Sequence, residues 1–318
     1  KGKKNNLQIA YQSSVDQKVE GLVGLLTVDQ QDGYSICSAT PIKYDNNNDR
    51  TFLVTAAHCL ISNKNDPQMI HNPDIYSVSN MYISQGIKGF SDPVNVFSVI
   101  AAYVPSRYCY GSRFVADGEG MYSCPYLKYK AGTEGNDIAI VVIAGKFSEP
   151  DNYPHITNLK NYPKVYDKAP VLSIGYGVVN GANSAEVWPD QGIQAFAVTN
   201  YIYAETNQNG YHYLLNSIFN EDHKGYATLI CSGDSGGPDL FWDQNLANSQ
   251  DKGKWILVSE HTYGPAGECG SFYKNIYLHG NGSTNVGYYY DWINNIIASV
   301  DNKNYCNNVA HACVMKAD

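Results

Sequence analysis

Charge is scarce in this sequence. Only 16% of its 318 residues are Asp, Glu, Lys or Arg, against an ordinary share of about 25%, and Lys and Arg nowhere gather into a long positive run. Tracking a phosphate backbone needs such a footprint, so nucleic acid is excluded as a partner. No uninterrupted apolar stretch reaches the roughly 18 residues that a spanning helix requires, which excludes a membrane span. The eight cysteines form no Cys-x-x-Cys pair and the histidines are not set at zinc-ligand intervals, so no metal is expected, and no cofactor either. No internal repeat is visible. The Lys1-Gly2-Lys3-Lys4 start has no apolar stretch behind it, so any signal peptide is expected to be already absent. A formal net charge of -8 favours solubility and a mild bias against acidic surfaces but says nothing of fold. The 27 tyrosines suggest no function, and oligomeric state is not legible.

What is present is a series of short strands. Leu22-Val23-Gly24-Leu25-Leu26, Phe52-Leu53-Val54, Val96-Phe97-Ser98-Val99-Ile100, Ile138-Ala139-Ile140-Val141-Val142-Ile143, Val171-Leu172-Ser173-Ile174 and Trp255-Ile256-Leu257-Val258 are β-branched or apolar runs separated by Gly, Asn, Asp and Pro clusters. That spacing predicts an all-β chain, sandwich or barrel. One amphipathic helix stands out, with Trp292, Ile293, Ile296, Ile297 and Val300 on a single face that packs as core. The length suffices for a full core in one large or two smaller domains.

Three segments carry chemistry. Gly233-Asp234-Ser235-Gly236-Gly237-Pro238 is a turn of small residues that exposes one hydroxyl and aims backbone N–H groups at whatever that hydroxyl attacks. Thr55-Ala56-Ala57-His58-Cys59 offers a base, because an imidazole with a pKa near about 6.5 can take a proton and return it at neutral pH. Asn136-Asp137-Ile138-Ala139-Ile140 offers a carboxylate entering an apolar run, suited to orient that base. His71, His155, His212, His223, His279 and His311 read as surface or loop histidines, and Asn281-Gly282-Ser283 is too short a glycosylation motif to carry weight.

In the chain order His, Asp, Ser, these segments resemble the chymotrypsin/trypsin family of serine endopeptidases; the subtilisin and α/β-hydrolase orders differ. Tyr34-Ser35-Ile36-Cys37-Ser38-Ala39-Thr40-Pro41-Ile42, Ser173-Ile174-Gly175-Tyr176-Gly177, Val258-Ser259 and Tyr290-Asp291-Trp292-Ile293 extend the likeness from roughly Gly21 to Val300. The resemblance implies two packed six-stranded antiparallel β-barrels with a C-terminal helix and a site in the cleft between them. It implies His58, Asp137 and Ser235 as catalytic, with the backbone N–H groups of Gly233 and Ser235 as the oxyanion hole, acting on a protein or peptide substrate through an acyl-enzyme. On this plan residues 1–20 are an N-terminal segment, a possible propeptide remnant; 21–160 form the first barrel with His58 and Asp137; 161–300 form the second with Ser235 and the closing helix; 301–318 are a tail. Pro150 to Lys168 is the best stretch for the inter-barrel connection. The long interval between His58 and Asp137 reads as extended surface loops.

The resemblance also implies disulfides Cys37–Cys59 and Cys231–Cys269, leaving Cys109–Cys124 and Cys306–Cys313 as local pairs. Four bridges imply an oxidising compartment, so a secreted or periplasmic location. The specificity pocket departs from trypsin-like relatives: Leu229 stands where an acid would pair with Lys or Arg, and an unpaired cation there would be costly. Ser259, Glu260 and His261 are expected along the substrate-binding strand, with Gly270 and Ser271 near the far wall. An apolar or mid-sized P1 residue is the first expectation and glutamate the second, with His261 narrowing the pocket, offering a proton to an acidic side chain, or pointing to solvent from the cleft rim. Activation departs as well, since no Ile-Val-Gly-Gly start is present. Either residues 1–8 are removed and the new amino terminus at Ile9 pairs with Asp234, or another group stabilises Asp234. A catalytically silent or zymogen-like binding module on the same scaffold is the alternative to an enzyme.

Overall fold

The computed structural model describes residues 19–62, 75–86, 88–105, 137–158, 170–177, 195–201, 230–243, 254–263, 282–299 and 312–315. Strands β1 (Gly24–Gln30), β2 (Gly33–Asp45), β3 (Arg50–Thr55), β4 (Met81–Gln85), β5 (Asn95–Pro105) and β6 (Ala139–Ala144) run in the order β5-β4-β1-β2-β3-β6, and a β5–β6 pairing closes them into a six-strand barrel. In the second half, β7 (Pro170–Gly175), β8 (Ala195–Tyr201), β9 (Pro238–Asp243), β10 (Lys254–Tyr263) and β11 (Gly282–Asn285) form a five-stranded sheet among the described residues, ordered β11-β10-β9-β7-β8. Helix α1 (Tyr290–Ser299) follows, burying Trp292, Ile293 and Ile296. Both the closed first barrel and the terminal helix match the expected fold class. No helix among the described residues is long and apolar enough to cross a membrane.

Every apolar run singled out in the sequence lies wholly or largely in a strand, and β6 shows why its run is unbroken. Side chains alternate faces along a strand: Ala139, Val141 and Ile143 point into the barrel interior with Leu53, Met81 and Ile83, while Ile140 and Val142 face a second core with Leu172, Leu240, Trp255 and Ile293. Both faces are buried, so neither needs a polar residue. The second core therefore joins the outer wall of the first barrel to the second sheet and α1. The connection after β6 makes the same crossing: His155 N–H donates to Trp255 O at 2.8 Å, and Leu257 N–H donates back to His155 O at 2.8 Å. His155 itself is exposed, as expected.

The tail contributes structure. Strand β12 (Ala312–Met315) adds to the first barrel in parallel beside β5, pairing Ala312 with Ala102 and Met315 with Pro105. Cys313 lies in that strand.

Cys37 in β2 and Cys59 just past β3 are disulfide-bonded, the bridge that the resemblance implies. With the partners 22 positions apart in the sequence, the cross-link removes loop-closure entropy from the unfolded chain. Replacing both with Ser is expected to cost about 3 kcal/mol, measured by urea unfolding of the paired variant; an unchanged midpoint would leave the bridge without a stabilising role. Cys231 is also disulfide-bonded; Cys109, Cys124, Cys269 and Cys306 lie outside the described residues.

Candidate active site

Strand pairing brings the candidate base and the candidate carboxylate together. β3 and β6 run antiparallel with Thr55 opposite Ala139, so the residues just after β3 meet the residues just before β6. His58, in a 3-10 turn spanning Ala57–Cys59, thus meets Asp137. The His58 main-chain N–H donates to Asp137 Oδ1 at 2.8 Å, and the ring Nδ1 lies 2.8 Å from Oδ2. The Asp137 side chain is fully buried whereas the His58 side chain keeps 16% exposure. A carboxylate only accepts, so this contact puts a proton on Nδ1 and makes Nε2 the acceptor of the neutral ring. The second sheet holds the same aspartate from behind: Thr284 of β11 donates its hydroxyl to Asp137 O at 2.9 Å, and Thr262 Oγ1 lies 2.6 Å from Thr284 Oγ1.

The Ser235 turn is tied to the first barrel through Ser38 of β2. Ser38 N–H donates to Ser235 O at 2.7 Å, its hydroxyl donates to Gly233 O at 3.1 Å, and its Oγ accepts from Tyr176 N–H at 3.1 Å. Thr55, at the end of β3, donates to Ser38 O at 2.8 Å. Cys59 Sγ, next to the base in sequence, lies 4.0 Å from Ser235 O. The imidazole loop and the hydroxyl turn therefore share one set of anchors where the two halves meet. Gly233 takes φ +100°, a left-handed conformation that a side chain would strain.

Asp234 turns its carboxylate inward. Oδ1 accepts from Gly177 N–H at 2.8 Å and Oδ2 from Cys231 N–H at 2.9 Å. A Cβ on Gly177 would stand 2.5 Å from the Asp234 carboxyl carbon, so glycine there makes room for the acid. Desolvation pushes this carboxyl above its ordinary range; the charge of His261 and the two N–H groups offset only part of that. A carboxyl with a raised folded pKa favours the fold while protonated, and that contribution is lost as pH rises through the raised value. A cation arriving beside Asp234 would reverse the penalty.

On β10 the structure removes one of the three alternatives raised for His261. Ser259 and Glu260 are fully buried and His261 is 2% exposed, so His261 does not point to solvent from a cleft rim. The cause is Asp239, a fully buried acid on β9 that was not singled out in the sequence. Ser259 donates to its Oδ2 at 2.8 Å, and His261 Nε2 lies 3.1 Å from its Oδ1. A register shift between Leu257 and Ser259 in the β9–β10 pairing, the signature of a bulge, seats both side chains on that acid. Glu260 faces the opposite way, its Oε1 accepting from Thr262 at 3.3 Å. Leu229, Gly270, Ser271 and Ile9 lie outside the described residues. Ser38, Thr262 and Thr284 also escape sequence reasoning, because a lone hydroxyl in a strand has no pattern that marks it.

Among the described residues, the one His/Cys/Asp/Glu group compact enough for a metal is Cys37, His58 and Cys59, and its two sulfurs are already joined.

A protein-family model described as Trypsin matches residues 111–293, a span that holds Asp137 and Ser235 and begins after His58. A solved structure similar to the chain is that of an inactivated protease paralogue from the scabies mite, with a TM-score of 0.50 and 16% sequence identity over 88% of this chain and 95% of that one. That likeness is one of fold. No curated protein matches the chain.

Proposed function

The chain belongs to the trypsin family, and on that premise we propose that it is a secreted serine endopeptidase that cleaves proteins through an acyl-enzyme. The observation that carries this reading is the pair of 2.8 Å contacts from His58 to a fully buried Asp137, beside a turn that presents Ser235. In the proposed reaction, His58 Nε2 takes the Ser235 proton as Oγ attacks the scissile carbonyl, then gives it to the leaving amine. The backbone N–H groups of Gly233 and Ser235 hold the oxyanion, each donor worth roughly 3 kcal/mol where such donors have been removed. Water then repeats the sequence on the acyl-enzyme. Asp137 stabilises the imidazolium that forms in each half.

For P1 the reading is an apolar or mid-sized side chain. Leu229 supplies no charge for Lys or Arg, and both ring nitrogens of His261 already face oxygens of Asp239 and Asp234, which leaves that ring no proton to offer a glutamate. Activation by cutting before Ile9 belongs to the same proposal, because an ammonium beside Asp234 would relieve its desolvated charge.

A fluorophosphonate probe tests the core of the reading: a single adduct on Ser235 is expected, followed by peptide-library cleavage after apolar residues. Cleavage after glutamate would return His261 to the pocket. The absence of any adduct on trimmed protein would instead favour a silent binding scaffold, the reading for which the scabies mite paralogue, itself described as inactivated, gives a motive.

A further inference from the structure

Asp239 is a buried acid ringed by serine hydroxyls. Ser173 of β7 donates to Oδ1, Ser259 and Ser283 donate to Oδ2 from 2.8 and 3.0 Å, and His261 Nε2 lies 3.1 Å from Oδ1. Three hydroxyl donors favour the ionised carboxylate, and an ionised Asp239, which only accepts, puts hydrogen on His261 Nε2. The other ring nitrogen, Nδ1, lies 3.2 Å from the main-chain oxygen of Asp234, which also only accepts. With Asp239 ionised, both nitrogens carry hydrogen and the ring is an imidazolium.

The same residue grips the nucleophile turn with its main chain. Gly236 N–H donates to His261 O at 2.7 Å, and His261 N–H donates to Gly237 O at 2.8 Å. Together with the ring contact, one residue of β10 holds the turn at Asp234, Gly236 and Gly237, on both sides of Ser235. None of these bonds involves an amino terminus.

We propose that Asp239 and His261 form a buried ion pair that acts as a positioning clamp, holding the Asp234 carbonyl and through it the Ser235 turn in the geometry that acyl transfer needs. The clamp grips the main chain of Asp234, whereas an incoming ammonium would act on its side chain, so the two devices are separable. The inference rests on the endopeptidase reading only for its consequence in catalysis; the charged pair stands without it.

Among the described residues, the titratable groups facing His261 are Asp239 on β9 and Asp234 on the turn. β7 and β11 present the hydroxyls of Ser173 and Ser283, and Glu260 lies on the other face of β10. Burial alone would pull the His261 imidazole down, but the charge and hydrogen bond of Asp239, with the charge and carbonyl of Asp234, lift it above its ordinary value. Burial likewise opposes the Asp239 charge, and His261 with the serine hydroxyls holds that carboxyl below its ordinary range. The contribution of His261 is therefore full below its ordinary pKa and lost as pH rises through the raised value. That of Asp239 is present above the ordinary carboxylate range and lost as pH falls through the lowered one.

The test uses the full chain labelled with 15N-histidine. At pH 8, where an unperturbed imidazole is neutral, one ring is expected to show both nitrogens protonated, and Asp239→Asn is expected to convert that ring to the neutral form. In the same variant, the rate of fluorophosphonate labelling at Ser235 is expected to fall about tenfold to a hundredfold, the scale of a small misplacement of reacting groups, with the loss growing from pH 6 to 9. All rings neutral at pH 8 in the parent protein, or wild-type labelling across that range in Asp239→Asn, would overturn the clamp. Should Asp239→Asn fail to fold, Ser283→Ala removes one hydrogen bond and no charge; a lowered midpoint for the doubly protonated ring supports the proposal, and an unmoved one overturns it. If the parent protein itself never labels at Ser235, the endopeptidase reading falls, and the ring spectrum still decides whether the charged pair exists.

Discussion

Ser235→Ala is expected to lower kcat roughly 10⁶-fold while leaving the fold intact. The turn is held by main-chain bonds, from Ser38 N–H to Ser235 O and from Gly237 N–H to Asp234 O at 2.7 and 2.9 Å, and neither uses the hydroxyl that the change removes. The thermal midpoint should therefore move little, and KM should hold, because the hydroxyl acts only when a bond forms. His58→Ala is expected to lose a similar factor, since an alcohol without its base is as idle as a base without its alcohol. The two losses should not multiply: the double variant is expected to turn over no more slowly than either single one, with a residual rate from oxyanion stabilisation and binding alone. Stopped-assay kinetics on peptide substrates measure all three. Multiplying losses would mean that the two side chains act separately, which no acyl-transfer mechanism through His58 and Ser235 permits.

The legible parts of this molecule are those whose signal is local. β3, β6, β7 and the core of β10 are apolar runs bounded by turn residues, and α1 buries Trp292, Ile293 and Ile296 of the stripe read from its sequence. β2 is less legible because Ser35, Ser38, Thr40 and Pro41 interrupt its pattern; a register shift between Pro41 and Lys43 accommodates the proline. β9 starts with Pro238-Asp239, which reads as a turn, and only pairing with β7 and β10 makes it a strand. The histidine and serine segments are legible because each sits in a distinctive short motif, whereas the aspartate segment, weak alone, is legible only from its place between them in the chain order. Asp239 could not, because a lone acid ordinarily marks a surface, and its partners Ser173, Ser259, His261 and Ser283 come from three other strands. The solvent-facing alternative for His261 fell for the same reason: counting along the chain cannot see a bulge, nor the buried acid that the ring faces.

Asp137→Asn is expected to lower kcat about 10⁴-fold, the size of the loss when the orienting carboxylate of such a triad is amidated. The argument follows from the two donors that converge on this side chain. The main-chain N–H of His58 points at Oδ1 and the ring nitrogen Nδ1 at Oδ2, each at 2.8 Å. A carboxylate accepts both; an amide has one oxygen and one NH2 group. The main-chain N–H cannot become an acceptor, so the amide oxygen must stay with it and the NH2 group must face Nδ1. That face then has two donors unless the ring moves its proton to Nε2, which is the atom that has to receive the Ser235 proton. Burial of the site removes water as an alternative partner, so the wrong tautomer is enforced rather than merely favoured. The expected result is a loss in kcat with KM near the parent value, and a ring whose 15N shifts report hydrogen on Nε2. Parent turnover in Asp137→Asn, with hydrogen still on Nδ1, would show that this aspartate does not govern the base.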